Sequence, residues 1–271
     1  MKRTFLEGEM PLISSQTDLR ECRRLPFCYL CGKVFDASEE PDGDHVPPKA
    51  IFAKEDRVNP LILPAHPECN ERESVGDEVL GQLVALLHGK QPRPERLRLK
   101  IGATRMPKSG KVLTFLYGHN LRPLVWRYVK GFHAGLYKEF LEVNGKLHVH
   151  LPFPEARHTG SEVSLSPVLP QQSLIAEELR KSRLARTMDR ITCYRGKCVY
   201  ECIWVRADAG EWICMFGLRL YNWEDLGDVH NFPKRGCVGI YCSKAGRPAA
   251  GTIGTSLEFR TTSEHPLDPF A

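Results

Sequence analysis

Two pairs of potential metal ligands constrain the fold more than any other feature of this sequence. Cys28-Tyr-Leu-Cys31 and His66-Pro-Glu-Cys69 each place two ligand side chains across a two-residue gap, so that both can turn toward one point. Thiolate and neutral imidazole are the ligands that tetrahedral zinc prefers, and four protein ligands leave no open position, which indicates a structural ion. The 34 residues between the half-sites, 32–65, are too many for a simple finger, so we expect a structured insertion.

Other roles for the cysteines are the alternatives to this zinc site. Cys28 and Cys31 would otherwise be core residues or a redox pair, but no βαβ unit surrounds them as in a thioredoxin-like site. A secreted disulfide scaffold is disfavoured because 271 residues can bury a core without disulfide bonds. We therefore expect the protein to lie in the reducing cytoplasm. A second metal site is conceivable from four of the other seven cysteines, which are Cys193, Cys198, Cys237 and Cys242.

Charge distribution points weakly to a polyanionic partner. The net charge is +5, an excess that permits nucleic acid without demanding it. A basic run between Lys90 and Lys111 holds a single acid, Glu95, and could contact phosphate or be only a solvated surface. Its candidate contacts are Arg93, Arg96, Arg98 and Lys100, together with Lys49 from the motif region. We expect no membrane partner, since the chain has no run of about 18 apolar residues.

Periodicity divides the chain into four regions and predicts an α+β protein. We expect a polar lead-in over residues 1–24, a compact metal module over 25–90, a basic arm with a helical connector over 91–170, and a mixed α/β region over 171–271. Helical spacing of apolar residues predicts helices over 70–87, 124–141 and 173–186. Alternating or apolar runs predict strands over 146–153, 198–207 and 211–220, and a loop over 155–172. Residues 221–245 are predicted to be irregular, with two possible short strands.

The segment between the zinc half-sites carries a motif that resembles a known nuclease family. Gly43-Asp44-His45-Val46-Pro47-Pro48-Lys49 is followed by Asn59 in NPLILPAHPECN, and Asn70 comes directly after the last zinc ligand. This series is similar to the HNH endonucleases over about residues 27–80, and WRYVKGFHAGLY at 126–137 looks like a downstream segment of some members. The resemblance implies a ββα-metal fold, a hairpin packed on one helix.

The resemblance also implies a role for each motif residue. Asp44 would give a carboxylate to Mg²⁺ or Mn²⁺, His45 would be the general base for the attacking water, and Asn59 would brace the loop that carries the base. Asn70 stands where the family has its final His, and its carboxamide oxygen makes the second ligand a hard one, which favours Mg²⁺ or Mn²⁺ over zinc. The implied activity is phosphodiester hydrolysis, of DNA rather than RNA, that leaves 3′-hydroxyl and 5′-phosphate ends.

Each motif residue also has an ordinary structural interpretation. On an extended strand Asp44 and His45 point to opposite faces, and they could be an inert turn pair. Asn59 could be only a turn residue before Pro60, and Asn70 only a helix N-cap. Ser74 and Asp77 share the Asn70 face of the helix and could support a metal or touch phosphate, but we expect a solvated helix face. The alternative function is a non-catalytic zinc module that binds nucleic acid or protein.

Overall fold

A mixed sheet and a separate hairpin-helix unit organise the chain. The computed structural model describes residues 11–87, 100–105, 112–117, 122–150, 156–159, 162–165, 170–207, 210–220 and 237–254. Within these residues the elements are, in chain order, β1 (Leu12–Ile13), α1 (Gln16–Glu21), β2 (Asp42–His45), β3 (Ile62–Ala65), α2 (Pro67–Leu87), β4 (Lys100–Arg105), β5 (Val112–Tyr117), α3 (Arg122–Tyr137), β6 (Val143–His150), β7 (Ala156–Thr159), β8 (Glu162–Leu165), α4 (Pro170–Ala185), β9 (Asp189–Cys193), β10 (Cys198–Arg206), β11 (Trp212–Leu220) and β12 (Cys237–Ser243). The predicted α+β class is confirmed.

The large sheet has six strands in the order β1-β9-β10-β11-β12-β6. β1 runs parallel to β9, and the other neighbours are antiparallel. Every residue of β10 from Cys198 to Val205 is buried, because both faces of the sheet are covered. Tyr200 and Trp204 belong to one hydrophobic cluster, whereas Ile203 and Val205 belong to a second that includes Ile175 and Leu179 of α4. This alternation between two cores explains why the strand is a continuous apolar run.

The N-terminal unit is an antiparallel hairpin of β2 and β3, followed by α2. Helix α3 packs between this hairpin and the large sheet. A Cβ added at Gly131 would lie 2.6 Å from Val46, and one at Gly135 would lie 3.1 Å from Ile191 and 3.7 Å from Leu61. These two glycines therefore let the helix approach the hairpin and the sheet closely. The same hydrophobic cluster contains residues of the hairpin, α3 and the sheet.

The second half of the predicted polar lead-in contains regular structure. Ser15 and Asp18 form a capping box that starts α1, and Cys22 after the helix is fully buried. Leu12 pairs with Arg190 of β9, so this end of the chain is part of the large sheet. The local sequence indicated little structure because a two-residue strand is formed only by its distant partner.

Several other boundaries differ from the prediction. The predicted loop over 155–172 contains the hairpin of β7 and β8, whose polar strands lack a clear hydrophobic alternation. Helix α2 begins at Pro67, three residues before Asn70, so the N-cap interpretation of Asn70 is wrong. Helix α3 spans Arg122–Tyr137 rather than 124–141. Lys100 begins β4, whereas Arg93, Arg96 and Arg98, like residues 221–236, lie outside the described residues. Among the described helices, none is long and apolar enough to cross a bilayer.

Candidate functional site

The two predicted half-sites converge into a Cys/His cluster formed by Cys28, Cys31, His66 and Cys69. Their ligand atoms all lie within 4.8 Å of one another, and Cys31 Sγ is 3.3 Å from His66 Nδ1. Four ligands on a tetrahedron around zinc, at bond lengths of about 2.0–2.3 Å, would be separated by roughly 3.3–3.8 Å. The cluster therefore has a composition and a spacing that suit a metal such as zinc.

Local backbone structure positions the four side chains. The first two cysteines lie on a tight turn in which the Cys28 amide donates to Lys33 O at 2.9 Å and the Gly32 amide donates to Cys28 O at 2.8 Å. Gly32 has a φ of +81°, a conformation that favours glycine at this position. His66 directly follows β3, and Cys69 lies in the first turn of α2. Strand, helix and turn thus each contribute ligands.

Neighbouring side chains contact His66 of the cluster, and the sulfur atoms of the cluster lie close to one another. His66 Nε2 lies 3.9 Å from Glu39 Oε2, and the rings of His66 and Phe35 are 4.9 Å apart. The pKa of Cys69 is raised to about 12, first by burial and then by the neighbouring Cys28 and Cys31 sulfur atoms. A bound cation reverses this effect, because a coordinating thiol loses its proton.

His45 lies on β2, where it pairs with Ile62 of β3, and its side chain is half-buried. Burial is the main cause that lowers its pKa, and the charge of Lys49 is the next. Arg23 and Arg57 lower the pKa further, although Asp44 opposes them. Lys49, Arg23 and Arg57 are all exposed. His45 is therefore a neutral imidazole at neutral pH in positively charged surroundings.

Asp44 points to the other face of the strand and is buried, as the alternation of side chains predicts. Its Oδ2 accepts hydrogen bonds from the hydroxyl of Tyr29 and from Nη2 of Arg127, the latter at 2.5 Å. Tyr29 stands between the two cysteines of the first half-site, so the turn that carries Cys28 and Cys31 also holds the Asp44 carboxylate.

Arg127 of α3 donates hydrogen bonds to Asp44 and to the polar residues around it. Its side chain is 3% exposed. Nη2 also donates to Asn70 Oδ1 at 3.3 Å, Nη1 donates to Asp77 Oδ2 at 2.5 Å, and Nε donates to Tyr29 Oη at 3.2 Å. Asp44 and Asn70, 26 positions apart in sequence, therefore contact the same nitrogen atom.

Asp77 is part of this network rather than of a solvated helix face. Besides Arg127, it binds Tyr128, whose hydroxyl donates to Oδ1 at 3.1 Å. Burial raises the pKa of Asp77 to about 6, against the opposing charge of Arg127. Arg127 lies in the segment 126–137 quoted from the sequence, but the sequence alone gave it no role. The signal that marks it is a charged residue flanked on α3 by the buried positions Leu124 and Tyr128.

Asn59 and the loop after His45 are held mainly through the backbone. Asn59 has a φ of 54°, and its carbonyl accepts from the Tyr194 amide at 3.1 Å. None of the described residues forms a hydrogen bond with its carboxamide, so its turn interpretation is the one the geometry supports. Tyr194 donates its hydroxyl to Pro47 O at 2.6 Å and stacks on Phe52 at 3.9 Å. The large sheet thereby fixes the loop that follows His45.

The four cysteines of the alternative metal site do not form a ligand cluster. Among the described residues, the Cys/His cluster is the only group of three or more potential ligands that converge, so the alternative site from Cys193, Cys198, Cys237 and Cys242 is not formed. Comparisons of the chain with family models, curated proteins and solved structures find no match.

Proposed function

We propose that the chain is a metal-dependent endonuclease of the HNH type that hydrolyses phosphodiester bonds, with His45 as general base. One observation carries this proposal. Asp44 and Asn70 accept hydrogen bonds from one nitrogen of Arg127, while the adjacent His45 points away from them in positively charged surroundings. The strand-strand-helix order of β2, β3 and α2, with the Cys/His cluster at its base, supports the same proposal.

The protonation state of His45 suits a base. Its lowered pKa keeps the imidazole neutral at neutral pH, so that a ring nitrogen can accept a proton from the attacking water. The exposed Lys49, Arg23 and Arg57 attract a phosphodiester backbone to the same side of the hairpin. The resemblance favours DNA over RNA as the substrate, with 3′-hydroxyl and 5′-phosphate products.

Asp44 and Asn70 are the residues that would hold Mg²⁺ or Mn²⁺. Such an ion supplies Lewis-acid stabilisation of the charge that develops on the phosphorane and on the leaving oxygen. Oδ1 of Asp44 accepts no hydrogen bond from the described residues, and a carboxamide oxygen has a second lone pair beyond the one that Arg127 uses. One oxygen of each side chain is thus compatible with a hard cation.

All ten cysteines are free, which suits a reducing compartment such as the cytoplasm.

The test is nicking of supercoiled plasmid by the zinc-loaded full chain with Mg²⁺ or Mn²⁺. The His45→Ala variant should lose activity by at least about 100-fold, the usual contribution of a general base. His148→Ala is the matched control, because His148 is also half-buried but lies on β6 of the large sheet. Activity retained by His45→Ala, or lost equally in both variants, would refute the proposal.

One observation favours a second candidate, a non-catalytic zinc module that binds nucleic acid. The Asp44 carboxylate already has a cationic partner in Arg127, so its burial does not require a metal ion. The same experiment separates the two functions. Equal DNA binding by the wild type and His45→Ala, with no nicking by either, would establish the binding module.

A further inference from the structure

We propose that Arg127 is the positioning residue of the candidate nuclease site, and that its guanidinium orients Asp44 and Asn70 toward a divalent cation. This inference deepens the proposed function and rests on it. It assigns a role to α3, which lies outside the hairpin-helix unit, and to a residue of the segment 126–137, for which the sequence alone gives no role.

All three guanidinium nitrogens of Arg127 donate hydrogen bonds, and no other side chain can donate in these three directions. Nη2 donates to Asp44 at 2.5 Å and to Asn70 at 3.3 Å, Nη1 donates to Asp77 at 2.5 Å, and Nε donates to Tyr29 at 3.2 Å. The guanidinium is planar, so its position fixes the angle between the partners on its edges. A lysine ammonium at this place would keep the charge without this geometry.

Charge balance explains only part of this arrangement. The carboxylates of Asp44 and Asp77 account for the buried positive charge of Arg127, since a buried charge needs a partner. Asn70 is neutral and needs no counter-ion, yet its carboxamide oxygen lies 3.3 Å from the nitrogen that holds Asp44.

The guanidinium is itself held rigidly. Close packing at Gly131 and Gly135 fixes α3 against Val46 of the hairpin side and Ile191 of the sheet. Tyr128, the next residue of α3, donates to the far oxygen of Asp77. Because Arg127 and Tyr29 both occupy Oδ2 of Asp44, the carboxylate is turned so that Oδ1 remains for another partner. Hydrogen-bonded partners that orient metal ligands in this way typically contribute 10–100-fold to metal affinity or activity.

The experiment compares Arg127→Met and Arg127→Lys with the wild type. Mn²⁺ binding is measured by electron paramagnetic resonance on zinc-loaded protein, and Asp44→Asn defines the Mn²⁺ that depends on Asp44. Arg127→Met should weaken this binding by at least about tenfold and lower kcat for nicking by a similar factor, with the KM for DNA within about twofold. Arg127→Lys should fall between Arg127→Met and the wild type.

The matched control is Arg183→Met, which removes another arginine paired with a buried glutamate, Glu201, away from this site. Zinc content and circular dichroism report folding for every variant, and if Arg127→Met fails to fold, Arg127→Lys decides the question. Loss of Mn²⁺ affinity in Arg127→Lys but not in Arg183→Met supports the inference. Equal losses in both variants overturn it, because they indicate general destabilisation.

The remaining outcomes separate this inference from the proposed function. Folded Arg127 variants that bind Mn²⁺ and nick DNA like the wild type would overturn the positioning role and leave the nuclease standing. A wild type that does not nick DNA, but whose Mn²⁺ binding is lost in Asp44→Asn and weakened in the Arg127 variants, would overturn the nuclease and retain the positioning role. A wild type with no Asp44-dependent Mn²⁺ binding would overturn the positioning role, whether or not it nicks DNA.

Discussion

Removing metal from the Cys/His cluster should destabilise the whole chain rather than only the turn that carries two of its ligands. Cys28 is fully buried, and both Cys28 and Tyr29 belong to the hydrophobic cluster that also contains Leu61 and Tyr200. The four ligands join the turn, the end of β3 and the start of α2. Loss of the ion would therefore loosen a hairpin on which α3 and the large sheet also pack.

The expected magnitude follows from binding linkage. A ligand present at about 1,000 times its dissociation constant stabilises the folded state by about 4 kcal/mol. One kcal/mol shifts the melting temperature by about 2–4 °C for chains of roughly 150–250 residues. Removing the zinc should therefore lower the melting temperature by about 8–16 °C. A domain that lacks its structural zinc can also unfold outright, because the binding free energy of such sites reaches about 10–16 kcal/mol.

The assay is thermal unfolding followed by circular dichroism, with zinc content measured on the same samples. Cys69→Ser is compared with Cys242→Ser, since both cysteines are half-buried and only Cys69 belongs to the cluster. We expect one zinc per chain in the wild type and in Cys242→Ser, and a low zinc content with the lower melting temperature in Cys69→Ser. A wild type that holds no zinc, or that melts unchanged after complete chelation, would refute the reasoning.

Three further predictions concern the proposed base His45, the close contact at Gly131 and the buried carboxyl group of Asp189. Because burial and Lys49 lower the pKa of His45, nicking should stay constant as the pH falls from 8 to about 6.5 and decline only below it; a decline that begins near pH 7.5 would contradict this. Gly131→Ala places a Cβ 2.6 Å from Val46, so urea unfolding should show a loss of about 1–3 kcal/mol, and unchanged stability would refute the close contact. Burial raises the pKa of Asp189 to about 6, so Asp189 stays protonated to a higher pH in the folded state than in the unfolded chain. The unfolding free energy should therefore fall by about 2 kcal/mol as the pH rises from 4 to 6. Urea unfolding across this range checks the sign, and a pH dependence that Asp189→Asn leaves unchanged would assign it to another group.

The parts of the fold that the sequence predicts are those determined by local pattern. The predicted strands over 198–207 and 211–220 match β10 and β11 closely, because two covered faces require uninterrupted apolar residues. Convergence of the Cys/His cluster was predictable for a similar reason, since ligand type and two-residue spacing leave few other uses for those side chains.

The parts that the sequence does not predict depend on distant partners. Arg127 meets Asp44 across 83 positions of chain, and a basic residue in a helix is usually exposed. Asp77 was expected on a solvated face because the residue that buries it lies on another helix. β1 has only two residues, and its pairing with β9 is invisible in local periodicity. Asn59 shows the reverse case, where its positive φ agrees with the ordinary turn interpretation.

The parallel pairing of Leu12 with Arg190 has a consequence for synthesis of the chain. Leu12 of β1 is translated 178 residues before Arg190, its partner in β9. Tyr194, which holds the loop after His45, follows the same partner strand. A nascent chain therefore cannot complete the surroundings of His45 until the segment that contains Tyr194 has emerged. Long-range pairing of this kind slows folding, so the loop after His45 should become ordered later than the local elements of the chain.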